Sequence, residues 1–320
     1  MAVYTAIGPR ELGAFLADYD LGPVVGLHAI AEGVENSNYR LETARGRFIL
    51  TIYERRVDPA DLPFFLDLMD HLAARGVPCP VPVKARDGTS LRRLAGKPAA
   101  VVTFLEGTSP RRITAAHTAA LGGALASVHL AGAGFRGHRS NALSLPGWRP
   151  LFEACRGGAD TVLPGLEAEL AAELDALEAH WPHDLPKGVI HADLFPDNVF
   201  FEDTAVTGLI DFYFACIDTM AYDLAICLNA WCFEADGAFN VTKARQMLRA
   251  YRARRPLGAR EVAALPLLAR GAALRFLLTR LYDWLNQVEG ALVRPKDPLE
   301  YLRRLRFHRG LTGPGAYGLD

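Results

Sequence analysis

Residues 189–201, VIHADLFPDNVFF, hold four polar side chains between two apolar flanks. These are His191, Asp193, Asp197 and Asn198. A carboxylate or an amide enclosed by hydrophobic neighbours is costly unless it has a hydrogen-bonding or ionic partner. Any fold of this chain must therefore bring protein partners or ligands to this segment.

The residues after Asn198 predict a β-hairpin. Two short apolar strands, Val199–Phe201 and Val206–Ile210, are separated by a polar turn. Antiparallel pairing places the start of one strand beside the end of the other, so the side chains of Asn198 and Asp211 should meet. Amide and carboxylate oxygens are ligands of Mg²⁺, with water and phosphate completing its octahedron. We therefore predict a magnesium site formed by Asn198 and Asp211.

Asp193 precedes the predicted hairpin and can reach the same cavity from a loop. A carboxylate close to a metal site suits phosphoryl transfer, which requires a positioned hydroxyl, an in-line phosphate and metal ions that neutralise charge. We predict that Asp193 accepts or orients the proton of an acceptor hydroxyl. We also predict that His191 braces this catalytic loop and that Asp197 is a turn residue.

The same residues resemble the H-x-D-L-x-x-x-N catalytic loop of protein-kinase-like enzymes, and the sequence IDF at 210–212 is similar to the metal-binding motif that follows it. Ala192 between the His and the Asp, and the sequence YDLA at 222–225, resemble the aminoglycoside-phosphotransferase-like branch, which modifies small molecules. Within that branch, nearly the full length resembles the homoserine kinases, in segments such as IAEGVENSNY, RVDPADLPFFL, LNAWCFE and DPLEYLRRLRFHR. The resemblance implies phosphorylation of the hydroxyl of L-homoserine by ATP, on the route to threonine.

The chain as a whole predicts an α+β fold with two lobes of the protein-kinase-like kind. A lobe at 1–105 would contain an antiparallel sheet, an opening helix at 9–20 and a crossing helix that Gly76 ends. The expected strands are 25–31, 38–43, 47–54, 81–85 and 98–105. A lobe at 106–320 would be helical apart from the hairpin, and its Asp223 should cap a helix and fix the metal loop, residues 210–212, from behind.

The resemblance also implies where ATP binds. The turn before the second strand would offer backbone N–H groups to the phosphates, and the base would lie against the segment 103–105. The predicted nucleotide-binding residues are Gly33, Val34, Asn36, Ser37, Asn38, Thr51, Thr103, Phe104 and Leu105. Thr51 stands where such kinases usually carry a phosphate-binding Lys or Arg, and Phe65 stands near the place of its Glu partner. The group that replaces this cation is left open.

An amino-acid acceptor needs a cation for its carboxylate, and Arg280 is the first candidate. A structural ion pair, for example with Asp283, is an equal alternative for Arg280. Asn229 and Trp231 are further candidates for acceptor contacts. Two other functions remain open: a phosphotransferase for an aminoglycoside or an amino sugar, and a catalytically silent kinase-like binding module. Residues 254–320 hold twelve Lys+Arg and six Asp+Glu, which favours a zwitterionic acceptor over a polycationic drug.

Composition restricts the partners and the compartment. Lys+Arg number 35 against 36 Asp+Glu, so charge gives no support for nucleic acid or a membrane surface as partner. The five cysteines form no CxxC pair, as expected for buried thiols in a reducing compartment. We see neither a signal peptide nor an apolar run long enough to span a bilayer, and we expect a cytoplasmic protein. A homodimer is left open.

Overall fold

The computed structural model of the protein describes residues 5–30, 36–54, 58–287 and 295–319. Within these ranges an antiparallel five-stranded sheet comes first, and helices dominate the rest. The strands of the sheet are β1 (Val24–Ala29), β2 (Ser37–Thr43), β3 (Gly46–Ile52), β4 (Arg92–Leu94) and β5 (Lys97–Thr103). They lie in the order β1-β2-β3-β5-β4. The predicted α+β class is confirmed.

The helices and short strands that follow form the larger part of the described chain. Two helices accompany the sheet, α1 (Pro9–Leu16) and α2 (Leu62–Ala73). The others are α3 (Ala115–Ala131), α4 (Leu145–Val162), α5 (Leu166–His180), α6 (Met220–Trp231), α7 (Val241–Arg254), α8 (Ala259–Leu285) and α9 (Pro298–Arg309). Four short strands lie among them: β6 (Lys187–Ile190), β7 (Val199–Glu202), β8 (Ala205–Leu209) and β9 (Cys216–Thr219). β7 pairs with β8 as the predicted hairpin, and β6 pairs with β9.

The two faces of the sheet pack against different cores. Leu50 and Ile52 of β3 are fully buried in a small core that includes the apolar face of α1. Tyr53, which follows directly, belongs to a second and larger core that α2 and the C-terminal helices share. Because side chains alternate along a strand, Thr51 and Tyr53 point away from α1. This face of β3 is the one turned toward the helical part of the protein.

Helix α8 lies in the middle of the larger core. Its length and hydropathy match those of a membrane span, but 61% of its most apolar window is buried inside the protein. Most of its residues between Leu265 and Leu281 are buried. We therefore interpret α8 as the central helix of a folded core.

The region from 78 to 103 differs from the sequence prediction. The expected strand 81–85 is wrong, because this segment makes only an isolated bridge between Pro82 and Val102. The Val83 N–H donates to the Val101 carbonyl at 2.8 Å, but the Val81 N–H donates to Thr103 Oγ1 and the Ala85 N–H to the Thr89 carbonyl, so the ladder does not continue. The missed strand is β4, which joins β5 through Ala95 and Gly96, with φ values of 51° and 74°. Two consecutive positive φ angles are typical of a tight hairpin turn.

The link between the sheet and the helical part is held against the β7–β8 hairpin. Thr108 and Phe201 exchange two backbone hydrogen bonds of 3.1 and 2.9 Å, and the Thr207 hydroxyl donates to the Glu106 carbonyl at 2.8 Å. Gly107 has a φ of 111°, and a Cβ at this position would overlap the Thr207 hydroxyl and lie 3.0 Å from the Phe201 carbonyl oxygen. Only glycine fits this close approach. The predicted lobe boundary at residue 105 stays a prediction.

The five cysteines are buried and form no disulfide. They are Cys79, Cys155, Cys216, Cys227 and Cys232. Burial raises the pKa of the Cys79 and Cys216 thiols to about 12 and that of Cys155 to about 11. They behave as small apolar side chains of the core.

Candidate active site

The catalytic loop begins where β6 ends. The buried His191 ring is fixed by two contacts: its Nε2 donates to the Ile210 carbonyl at 2.9 Å, and its Nδ1 accepts the Asp193 N–H at 3.3 Å. These partners assign the proton to Nε2, and burial lowers the pKa of the ring. The His191 ring therefore connects the predicted catalytic loop to the residue that follows β8.

Asn198 is held by Asp193, which lies five residues earlier in the loop. Its Nδ2 donates to the Asp193 carbonyl oxygen at 2.8 Å and lies 3.3 Å from Asp193 Oδ2. With the amide nitrogen turned toward Asp193, the amide oxygen of Asn198 points to the other side. The two side chains therefore share one site and have different free atoms for ligands.

The hairpin register places Asp211 next to Asn198. Val199 pairs with Leu209, and the Ile210 N–H donates to the Asn198 carbonyl at 3.0 Å. Asp211 follows directly, with a left-handed φ of 65° that ends the strand. An amide oxygen and a carboxylate at one strand end fit a hard divalent cation. Among the residues that the structure describes, no three His, Cys, Asp or Glu side chains gather as a metal site, so phosphate and water would complete the coordination.

The prediction that Asp223 caps its helix is wrong, because α6 already begins at Met220. Its buried carboxylate accepts the N–H groups of His191 at 2.7 Å and Ala192 at 2.9 Å. Nε2 of His129 lies 3.1 Å from the same carboxylate. Burial acts to raise the pKa of Asp223, but His129 and the backbone donors hold it below its usual value. Asp223 therefore supports the catalytic loop rather than the metal loop.

Arg275, which lies on α8, is not among the site residues predicted from the sequence. Its Nη1 donates to the Ala192 carbonyl at 3.0 Å and lies 3.6 Å from Asp193 Oδ1. Burial raises the pKa of Asp193, and the charge of Arg275 opposes this shift. No local motif marks Arg275, because it is brought to the loop only by the packing of α8.

The position of the absent phosphate-binding cation is polar but uncharged. Thr51 is buried, and its hydroxyl donates to Asn38 Oδ1 at 2.8 Å. Lys97 forms an ion pair with Glu54 at the end of β3. By strand alternation Glu54 lies on the α1 side of the sheet, opposite to Thr51. The Lys97–Glu54 pair therefore does not replace the missing Lys.

Aromatic rings fill the space around the predicted Glu position. The rings of Tyr53 and Phe65 pack edge to face against Tyr213, with centroids 5.5 and 5.6 Å away. The Tyr213 hydroxyl lies 3.3 Å from the Tyr53 hydroxyl. Arg139 lies 5.1 Å from the Phe65 centroid, but its Nε donates to Asp61 at 2.6 Å. Packing of aromatic rings thus joins the end of β3, α2 and the turn after Asp211. These rings take the place of the Lys–Glu ion pair that such kinases usually carry.

The predicted phosphate turn lies partly outside the described residues, since Gly33 and Val34 are not among them. Asn36 and Ser37 are buried, and their side chains contact Glu54: Ser37 Oγ donates to Glu54 Oε1 at 2.7 Å, and Asn36 Oδ1 accepts the Glu54 N–H at 3.3 Å. These side chains therefore hold the end of the sheet, and contact of the backbone N–H groups of Asn36 and Ser37 with the nucleotide stays a prediction. Asn38 is only partly buried and shares the face of Thr51.

The segment expected to carry the nucleotide base follows β5. Thr103 exchanges backbone and side-chain hydrogen bonds with Val81, each 2.9 Å long. The Arg47 guanidinium lies 4.7 Å from the centroid of the Phe104 ring. Leu105 packs toward Gly208, where an added Cβ would lie 3.0 Å from Leu105 Cδ1. The segment is thus fixed by the sheet on one side and by the hairpin on the other.

Comparisons with known proteins show which proteins this chain is similar to. A family model described as the phosphotransferase enzyme family matches residues 26–257. The homoserine kinase of Azorhizobium caulinodans is 65% identical, covering 100% of this chain and 99% of the relative. The chain belongs to the phosphotransferase enzyme family. A second relative, the homoserine kinase of Rhodospirillum rubrum, is 64% identical over 100% of both chains. The predicted resemblance to the homoserine kinases is confirmed.

Solved structures confirm the predicted kinase-like fold of this phosphotransferase. An amicoumacin kinase, in complex with AMP-PNP, Ca²⁺ and Ami, matches with a TM-score of 0.71 at 16% identity. The match covers 95% of this chain and 94% of the other. At this identity the likeness concerns the fold alone.

Arg280 of this phosphotransferase is connected to the predicted catalytic loop only through Tyr301 among the contacts described. Its Nη1 donates to Glu300 at 2.6 Å, and its guanidinium lies 4.4 Å from the centroid of the Tyr301 ring. Tyr301 in turn packs near Phe195 of the loop, with centroids 6.4 Å apart. The alternative of an ion pair with Asp283 is thus replaced by a pair with Glu300.

The other two acceptor candidates lie in the core and are withdrawn. Asn229 is fully buried, donates to the Ala269 carbonyl at 2.9 Å and lies 3.1 Å from His308 Nε2. Trp231 is also fully buried, and its Nε1 donates to the Leu194 carbonyl at 2.8 Å. Both side chains support the site from behind, so neither presents a surface to a ligand.

Proposed function

We propose that this protein transfers the γ-phosphoryl group of ATP to the side-chain hydroxyl of L-homoserine, giving O-phospho-L-homoserine and ADP. The observation that carries this proposal is the identity of 65% to a homoserine kinase over the full length of the chain. The product is an intermediate on the route to threonine. We also place the protein in the cytoplasm, because its buried free thiols suit a reducing compartment.

The catalytic loop supplies the groups for this reaction. Asp193 accepts a hydrogen bond from the homoserine hydroxyl and takes its proton as the oxygen attacks the γ-phosphorus. Asn198 and Asp211 hold Mg²⁺ through the amide oxygen and the carboxylate. When bound, Mg²⁺ neutralises charge on the ATP phosphates. Asp193 belongs to the same hydrogen-bonded unit as Asn198, so the base and the metal ligand are fixed relative to each other.

The phosphates have no Lys from β3 in this proposal. Backbone N–H groups of the turn before β2 contact them, together with the partly buried Asn38. Arg280 and Glu300 border the acceptor site, where a guanidinium suits the homoserine carboxylate. The base lies against residues 103–105.

The test is an acceptor panel assayed with Mg-ATP, with ADP release and phosphorylated product measured together. We expect L-homoserine to be the preferred acceptor by kcat/KM over aminoglycosides, choline and amino sugars. Asp193→Asn should lower kcat by roughly 10³-fold or more, because the proton acceptor is lost, and should leave nucleotide affinity largely unchanged. Asp211→Ala should abolish Mg-dependent ATP binding, measured by calorimetry.

Three results would contradict the proposal. They are preferred phosphorylation of another acceptor, unchanged turnover in Asp193→Asn, and normal Mg-ATP affinity in Asp211→Ala. Glu202→Gln is a matched control, because this exposed carboxylate lies in the same hairpin at the end remote from Asp211. Its kinetics should equal those of the parent protein.

A further inference from the structure

The peptide that precedes Asp193 is held from both sides. Ala192 has a φ of 62°, which is unfavourable for a residue with a Cβ. Its N–H donates to Asp223 at 2.9 Å, and its carbonyl accepts from Arg275 Nη1 at 3.0 Å. A backbone conformation of this kind persists only where its surroundings fix it. A carboxylate from α6 and a guanidinium from α8 do so here.

Arg275 is an unusual residue for its surroundings. It is only 3% exposed in a helix whose neighbouring residues are apolar. Its guanidinium lies 3.8 Å from the centroid of the Phe276 ring and 5.3 Å from that of Phe214, which follows the metal loop. Asp193 is the acidic partner that the structure shows for it within the described chain. Burying a guanidinium with one carboxylate at 3.6 Å is expensive and needs a compensating role.

We propose that Arg275 is a positioning residue for phosphoryl transfer: it fixes the Ala192 peptide and aligns the carboxylate of Asp193 with the acceptor hydroxyl. This inference rests on the proposed function, because it acts through Asp193. The planar guanidinium can serve the carbonyl and the carboxylate with different N–H groups, which an ammonium cannot do in the same geometry. Arg275 therefore changes the rate of transfer more than it changes the binding of the nucleotide.

The first experiment compares Arg275→Met and Arg275→Lys with the parent protein by steady-state kinetics. We expect Arg275→Met to lower kcat by roughly 100-fold, the size of a small misplacement of a catalytic group, with the KM for ATP little changed. Arg275→Lys should recover part of kcat, because it keeps the charge and N–H donors but not the planar geometry. Arg270→Met is the matched control. Arg270 lies on the same helix but pairs with Glu173 at 2.8 Å, so its loss should lower the melting temperature and leave kcat unchanged.

The second experiment places Arg275→Met in the Asp193→Asn background. If Arg275 acts through Asp193, adding Arg275→Met to Asp193→Asn should lower the residual kcat by less than about threefold. The two substitutions are then not additive, because both remove the same function. An undiminished loss in this background would overturn the inference, as would a normal kcat in Arg275→Met. If Arg275→Met does not fold, the same cycle is run with Arg275→Lys, and normal kcat in that variant would also overturn it. Unchanged turnover in Asp193→Asn alone would instead overturn the proposed function.

Discussion

Asp223 shows how one buried carboxylate can organise a site without contacting a ligand. It accepts two backbone N–H groups of the catalytic loop and contacts His129. His129 in turn lies 2.7 Å from the Tyr251 hydroxyl. The loop is thus connected through Asp223 to α3 and α7, and its geometry depends on a charge that has no exposed surface.

We predict that Asp223→Asn lowers the free energy of unfolding by about 3 kcal/mol, because an amide cannot accept from all three donors and leaves buried groups unpaired. The loop should also lose its alignment, so kcat should fall by roughly 100-fold. Denaturant unfolding and steady-state kinetics measure the two effects. Asp175→Asn, which removes an exposed partner of Arg149, is the control. A variant with normal stability and normal kcat would refute the role of Asp223.

The residues of the catalytic loop were predictable because they are close in sequence. The pattern from His191 to Asp211 contains its own hairpin, so the register alone brings Asn198 and Asp211 together. Arg275 could not be predicted in this way. It reaches the loop from a distant helix, and an arginine among apolar residues has the same pattern whether it binds substrate, another helix or a loop.

At the scale of secondary-structure elements, the link at 104–108 and the β7–β8 hairpin form one unit. Gly107 passes so close to Thr207 and Phe201 that no side chain fits. This unit joins the sheet to the hairpin whose other end bears Asp211. Disturbing the link should therefore affect both stability and metal binding.

We predict that Gly107→Ala lowers the free energy of unfolding by about 3 kcal/mol, the sum of a positive φ and the overlap with the Thr207 hydroxyl. Gly88→Ala is the matched control, because Gly88 has a φ of 85° with nothing within 4 Å of an added Cβ. It should lose only about 1 kcal/mol. Denaturant titration measures both values. Equal losses in the two variants would show that the close approach at Gly107 adds nothing.

The predicted helices and strands are correct where hydrophobic periodicity is strong. They are wrong where the geometry of a turn determines which segments pair. The helix predicted at 9–20 is present but ends at Leu16. The proline-rich segment 78–83 makes a single bridge to β5, and the pairing does not continue because the Val81 N–H donates to the Thr103 hydroxyl oxygen. β4 was missed because it has only three residues, two of them arginines, and its turn is Ala-Gly rather than a common turn pair.

At the scale of the whole molecule, the C-terminal segment is tied to the core through His308. The Tyr317 hydroxyl lies 2.8 Å from its Nδ1, and the Asn229 amide oxygen lies 3.1 Å from its Nε2. Burial, with a smaller effect of Arg304, lowers the pKa of His308 to about 3. The folded protein therefore keeps this ring neutral at a pH where the unfolded chain protonates it.

This difference predicts acid sensitivity. Since the unfolded state binds the extra proton, stability falls as the pH drops below the unfolded pKa, about 6.5. Between pH 7 and pH 5 His308 should contribute a loss of about 2 kcal/mol in the free energy of unfolding. His308→Gln should be less stable at pH 7 but should lack this part of the pH dependence. Denaturant titrations at both pH values measure it, with His180→Gln at an exposed position as control. An identical pH dependence in His308→Gln and the parent protein would contradict the assignment.

The five cysteines give the protein a built-in reporter of its own opening. Each thiol is enclosed and poorly ionised in the native state, so a reagent such as an aromatic disulfide can react only after the surrounding core has separated. Four of them lie in the helical part and Cys79 lies beside α2. The rate at which each sulfur becomes labelled, followed by mass spectrometry, would therefore report how often the core opens around that sulfur.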